Sequence, residues 1–300
     1  GGGNAGAIGA VCNDAYKGSA WSASGQPRGN SFVNLVAHEM GHQIGANHTF
    51  SFRSEGTGVN VEPASGSTIM GYAGTGSDDM AFYADNYYHN VSIVQSLAYL
   101  KSQTCAVTTT IENNVPTVDA LIDRTIPVAT PFILTGSASD LDASDSLTYT
   151  WEQKDDGVVP SETFGPTNTQ GANFRSLLPS QEPTRYLPLV SSVISGNLTL
   201  EDPYIGSPWE TLSTVPREFN FAFTVRDNSS GGGGVAYTEM KVTVVDNDGD
   251  DDSIGAFAVT SQSLGNVYIA DSPRMVTWNV AGTDQAPISV SSVNITMSTD

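Results

Sequence analysis

The stretch VAHEMGHQIGANHTF, residues 36–50, holds three histidines and a glutamate, in a 300-residue chain that has only four histidines. On a helix, residues four apart lie one above the other, so His38 and His42 can aim two imidazoles at one point while Glu39 projects beside them. Two ligands do not complete a catalytic zinc site, which takes three protein ligands and keeps a position open for water. Gly45 tolerates positive φ and lets the chain turn after the helix, and three residues later His48 arrives as the third ligand. The spacing H-E-x-x-H-x-x-G-x-x-H thus predicts three neutral donors around one ion. Zinc held this way lowers the pKa of its water, and a neighbouring carboxylate can take that proton and pass it to a leaving amine. Glu39 is placed for that role. The bland reading, surface histidines meeting by chance, suits a bare H-E-x-x-H better than one with a glycine and a third histidine at fixed offsets.

Outward from this stretch, SFVNLVAHEMGHQIG reads as a helix with Phe32, Leu35, Val36 and Met40 at helical spacing, Asn30 or Ser31 as N-cap and Gly45 as its stop. AIGAV at 7–11 reads as a short strand and 90–105 as a second helix, with a Gly- and Ser-dense loop region between the two helices. Two cysteines, Cys12 and Cys105, are too few for a disulfide scaffold but could form one bridge, which would suit an oxidising compartment.

HEMGHQIGANH, 38–48, resembles the metzincin clan of zinc peptidases at every defined position of its extended motif. STIMGYAG, 67–74, resembles the clan's methionine turn, which implies that Met70 is a hydrophobic floor under the ligand histidines. Within the clan the chain looks most like the bacterial reprolysin (adamalysin-like) peptidases, on AIGAVCN at 7–13, HTF after the motif, EPASGSTIMGYAG and YYHNVSIVQSL. The resemblance implies that 7–11 is an edge strand lying against an extended substrate, and that Cys12 pairs with Cys105. Thr49 stands where animal and venom members carry Asp, and their second disulfide is absent, so their substrates do not transfer. A pappalysin-type metzincin is a rival that HTF favours and STIMGY disfavours. Tyr72 has the spacing of the switch tyrosine of astacins and serralysins, with two roles open to it: oxyanion stabiliser or packed turn residue. His89 reads as an ordinary polar residue at a helix start. The family's first strands and a helix would stand before residue 1, so the catalytic domain is read as N-terminally truncated and the sequence as a fragment cut at both ends.

After ENNVPTVDA, 112–120, the composition shifts to Thr, Ser, Val, Pro and Asp. Period-two runs at 147–153, 217–227 and 237–245 read as antiparallel strands, the last two a hairpin around NSSGGGG. AFAVTSQ (256–262), RMVTWNV (274–280) and SSVNITMS (291–298) read as strands of a further unit. Trp151 and Trp278 read as core residues. DLDASDS at 140–146 and DNDGDDD at 246–252 cluster carboxylates that would suit Ca2+, although neither has a full EF-hand pattern and solvated acidic loops are common.

The charge of −20 excludes nucleic acid and an anionic membrane as natural partners, and most of the acidic excess lies beyond residue 106. No apolar run is long enough for a membrane span. The sequence is therefore read as multidomain: an α+β metzincin-like zinc peptidase domain over 1–110, then all-β sandwich modules of the Ig, PKD, cadherin or fibronectin kind. The first covers 111–247, an acidic linker 248–255, and a second, partial module 256–300. The expected function is a secreted or cell-surface zinc endopeptidase acting on extracellular protein or peptide, its modules serving attachment to a surface or substrate. The alternative is an adhesion protein with a vestigial peptidase domain, against which the intact Glu39 counts.

Overall fold

A computed structural model describes residues 1–246, 256–262, 265–269 and 271–296. The N-terminal part contains a short antiparallel pair, β1 (Gly2–Asn4) and β2 (Trp21–Ala23), and two helices, α1 (Asn30–Gln43) and α2 (Asn90–Ser102). Between the helices the chain runs almost entirely as turns, and many of its residues are buried. The sequence pattern placed α1 correctly but misassigned its buried face. Phe32, Leu35 and Val36 are only half-buried and Met40 is 56% exposed, whereas His38, Glu39, Gly41 and His42 are buried, because the inner stripe of this helix carries a polar centre rather than an apolar core. Its N-cap is Gly29, with no side-chain cap bond, in place of Asn30 or Ser31.

Residues 7–11 do not form the expected edge strand; they fold as a turn that caps the C-terminus of α1. The amides of Gly9, Ala10 and Val11 donate to the carbonyls of His42 and Gln43 at 2.8–3.1 Å, satisfying acceptors that a helix end leaves unpaired. The Tyr99 hydroxyl of α2 donates to the Gly9 and Val11 carbonyls at 2.7 and 2.5 Å, and the Cys12–Cys105 disulfide ties the same turn to the segment after α2. Committed on all these sides, the turn has no free edge to offer a peptide. The strand beside α1 is β1 instead.

Downstream come β3 (Thr117–Val118), β4 (Arg124–Pro127), β5 (Phe132–Thr135), β6 (Ala138–Ser139) and β7 (Thr148–Gln153). They are followed by β8 (Thr184–Leu187), the short α3 (Val190–Ser195), β9 (Arg217–Arg226) and β10 (Val235–Val245). Strands β4, β10, β9 and β7 form one sheet in that order, with the hairpin between β9 and β10 as expected. The three runs read as antiparallel strands do pair so, β7 with β9 and β9 with β10, while β4, not anticipated from sequence, joins β10 in parallel. The β5–β8 pair faces this sheet across a core of Leu134, Leu187, Trp151, Phe219, Phe221 and Phe223. Burying each such side chain contributes roughly 1.5–3 kcal/mol, so these few residues go far toward ordering two layers.

Several polar residues of β7 and β9 are also buried. Thr150, Glu152 and Thr224 meet the start of α2, where Asn90 bonds Glu152 through its backbone amide and Thr224 through its side chain. A second apolar cluster joins Ala64 and Met80 to Val159, Phe164 and Trp209. The backbone of Val159 is bonded to Ser51 at 2.8 Å and to Ala64 at 2.9 Å, on either side of the loop that follows the third histidine.

Near the end of the chain, β11 (Ala258–Val259) pairs with β12 (Trp278–Asn279), two residues each. Residues 291–296 contain no strand, against expectation, and 297–298 lie outside the described residues, as does the acidic stretch 248–255. Trp151 is in the core as expected; Trp278 is half-buried and belongs to no core cluster among the described residues.

Candidate metal centre

The three histidines converge. His42 Nε2 lies 3.2 Å from His38 Nε2 and 3.0 Å from His48 Nε2. Each ring's other nitrogen faces an acceptor: His38 Nδ1 the Ile69 carbonyl at 2.7 Å, His42 Nδ1 the Ala46 carbonyl at 2.8 Å, and His48 Nδ1 a Glu55 carboxylate oxygen at 2.8 Å. Those acceptors require the proton on Nδ1, which leaves a bare lone pair on every Nε2. Bare lone pairs 3.0–3.2 Å apart repel unless a cation sits between them. The corners of a tetrahedral site with metal–nitrogen distances of about 2.1 Å are about 3.4 Å apart, close to the spacing here. The donor set thus fits a zinc-sized ion.

Burial reinforces the neutral state. Desolvation first, and the charge of neighbouring His42 second, hold both His38 and His48 down to about 3; burial also lowers His42. Neutral imidazole is the form that binds metal.

Two glycines make the approach possible. Gly41 lies against Met70, whose Sδ a Cβ at position 41 would overlap, and Gly45 sits at φ 101° with Tyr99 Cβ only 2.6 Å from where its own Cβ would stand. Gly45 therefore serves the turn expected of it, while the role of Gly41 was not anticipated. Met70 is fully buried in a cluster with Ala46 and Ile69, under α1. The turn around Met70 holds the histidines through its backbone: the Ile69 carbonyl receives His38, and the Met70 carbonyl receives the Thr49 amide at 3.1 Å, one residue past His48.

Glu62, to which the sequence reading gave no role, knits this region together. Its buried carboxylate accepts from Thr49 Oγ1 at 2.7 Å, from the Ser67 and Thr68 amides at 2.8 and 3.1 Å, and from Thr68 Oγ1. A glutamate eight residues before Met70, inside the quoted EPASGSTIMGYAG, was visible, but nothing local indicated burial. Glu55 was equally visible and equally silent.

Glu39 and His38 line a cleft of about 940 Å³ that also takes in Gly1–Gly3, Tyr72, Phe82 and Tyr83. A Cβ at Gly3 would overlap the Glu39 carboxylate, so β1 packs directly over it. Burial pushes the Glu39 carboxyl above its ordinary value. Tyr72 packs its ring edge-on to His48 at 4.6 Å between centroids and touches Phe50 at 4.7 Å; burial raises its phenol. His89 is apart from the centre: it is buried and caps α2, its Nδ1 accepting from the Val91 amide at 3.2 Å.

The acidic loop 140–146 brings Asp140 and Asp145 within 4.8 Å of Asp227, and one oxygen of each of the first two is buried without a hydrogen-bond partner. Asp227 is satisfied by the Ser229 and Gly234 amides and by Asn113. This cluster gives calcium no support beyond proximity. Of the second acidic stretch only Asp246 falls within the described residues.

Three imidazoles face one point, with a buried carboxylate next to the first, a donor set that could hold a metal ion. Residues 1–100, a third of the chain, match the family model described as Metallo-peptidase family M12B Reprolysin-like. That match supports a metzincin-like reprolysin family and a metallopeptidase activity for this segment, and zinc is the metal such a family implies. A search of curated proteins gives no match. Among solved structures, a quinonprotein alcohol dehydrogenase-like protein from Bacteroides thetaiotaomicron VPI-5482 aligns at 11% identity with a TM-score of 0.19. The alignment covers 48% of this chain and 22% of that one, so this chain spans under a quarter of its length, and at that score the likeness carries no argument. Among the described residues, no helix is long and apolar enough to cross a membrane.

Proposed function

We propose that the chain belongs to a secreted zinc endopeptidase that hydrolyses peptide bonds of extracellular proteins. The single observation that carries this is the convergence of three histidine Nε2 atoms beside the buried Glu39. His38, His42 and His48 would hold the ion, and Met70 would close the floor beneath them. Bound zinc would supply Lewis acidity, polarising the scissile carbonyl and acidifying a water. Glu39 takes the proton of the attacking water and returns it to the leaving amine, the raised affinity of its buried carboxylate for a proton matching the role of a base. The cleft floored by Gly1–Gly3 receives the peptide in extended form along β1, where Gly3 leaves the room that the Glu39 carboxylate occupies. Tyr72 packs against His48 and orients it. Residues 111–246 form a β-sandwich of the Ig or PKD kind, which serves as an attachment or spacing module outside the cell; the disulfide agrees with an oxidising compartment.

The test is peptide-library cleavage by protein containing this chain beside its Glu39→Gln variant, with zinc content measured in both. The expected loss is about 10²–10⁴-fold with zinc retained. Equal turnover in the two would remove Glu39 from the chemistry, and zinc-loaded wild-type protein that cuts nothing would favour the adhesion reading.

A further inference from the structure

The three histidines are not held alike. His38 and His42 donate to backbone carbonyls, whereas His48 donates to a carboxylate, Glu55 Oε2 at 2.8 Å. His38 and His42 ride on α1, so the helix fixes their backbone; His48 lies beyond Gly45 in irregular chain, and its orientation must come from its side-chain partners. The loop carrying Glu55 is itself anchored. Asn60 Oδ1 accepts the Glu55 amide at 3.2 Å, and Asn60 Nδ2 donates to the Phe50 carbonyl at 2.6 Å. The Asn60 amide then donates to Asp156 Oδ1 at 2.8 Å, and its carbonyl accepts the Gly157 amide at 3.1 Å. The chain of contacts runs from the downstream β-structure to the third histidine.

We propose that Glu55 is a positioning residue for the metal centre, fixing the Nδ1–H tautomer of His48 and strengthening its Nε2 as a donor. Asn60 and the 156–157 segment keep Glu55 in place. A carboxylate in this position both orients the ring and adds negative charge that a carbonyl lacks, which raises the affinity of the ring for a cation. Arg53 Nη2 lies 3.6 Å from the other Glu55 oxygen. The inference rests on the zinc reading of the histidines and is independent of whether the protein cuts peptides.

The experiment is zinc titration of the metal-free protein against a chromophoric chelator, with Co2+ absorption spectra and thermal unfolding of the metal-free forms, on wild type, Glu55→Ala and Glu55→Gln. Glu55→Ala should bind zinc about 10–100-fold more weakly and alter the Co2+ spectrum. Glu55→Gln keeps an acceptor without the charge and should recover part of the loss, while both metal-free variants unfold near the wild-type temperature. Zinc affinity of Glu55→Ala within twofold of wild type overturns the proposal. So does equal weakening in both variants accompanied by a lowered melting temperature, which would mark a collapsed loop. Wild-type protein that takes up no zinc also overturns it, and, unlike the other outcomes, removes the metal centre as well.

Discussion

Two of the candidate ligands are carried by a helix and the third by a loop, and the two regions are stabilised by different means. On α1 the backbone hydrogen bonds are internal, so His38 and His42 need only one carbonyl each to set their rings. Residues 49–62 have no regular structure to fix them. There a buried carboxylate, Glu62, takes four hydrogen bonds, Asn60 bridges to Asp156, and Val159 bonds both flanks. The loop side therefore depends on side chains and on contacts with residues about a hundred positions away, while the helix side depends on the space its glycine leaves.

Removing the loop's hub should have the largest effect on stability. Glu62→Ala orphans two hydroxyls and two amides in a buried site, and is expected to cost about 3 kcal/mol or more in chemical denaturation. A cost under 1 kcal/mol would mean that the loop holds itself and the contrast with α1 fails. On the helix side, Gly41→Ala would add a good helix former at an interior position, normally a gain of about 1 kcal/mol. Against Met70 it should instead destabilise by roughly 1–3 kcal/mol through overpacking, and a measured gain would show that the methionine floor yields.

Acid separates the metal-free protein from a typical fold. His38 and His48 stay neutral in the folded state down to about 3, while unfolded imidazoles take protons near 6.5. The unfolded chain binds more protons across that window, so the metal-free protein should be unaffected by these groups above it and lose stability as pH falls through it. Denaturation midpoints at pH 7 and pH 5 check this; a fall between the two as large in a His38→Ala, His48→Ala variant as in wild type would refute it.

The last two effects are smaller. Asp156→Ala removes one hydrogen bond at an exposed side chain, and should cost about 1 kcal/mol. Tyr72→Phe deletes only the hydroxyl and keeps the ring on His48, so kcat/KM should change less than about tenfold. A loss nearer 10²–10³ in kcat would mark the hydroxyl as a stabiliser of the developing oxyanion.

The helix, its histidines, the glycine turn and the methionine eight residues past Glu62 were legible because ligand geometry on a helix is a matter of local spacing. The hairpin of β9 and β10 was legible for the same reason, its alternation and glycine-rich tip being local too. The short turn at 7–11 was not. AIGAV has the apolar composition of a strand, yet its amides are claimed by the end of α1 and its carbonyls by Tyr99, neither of which is near in sequence. The inner stripe of α1 misled in another way, since hydrophobic spacing points to an apolar core and this helix buries two histidines and a glutamate.

By itself the sequence determined which three histidines would converge and which carboxylate would stand beside them, because an i,i+4 pair and a glycine bend leave the backbone few choices. Tertiary structure alone decided what holds the third histidine: Glu55, Glu62 and Asn60 look like any polar loop residues until folding buries Glu62 and Asn60 and brings Glu55 against the His48 ring. A carboxylate becomes a positioning group only where distant segments, here residues 156–159 bonded to the loop, fix the backbone that carries it.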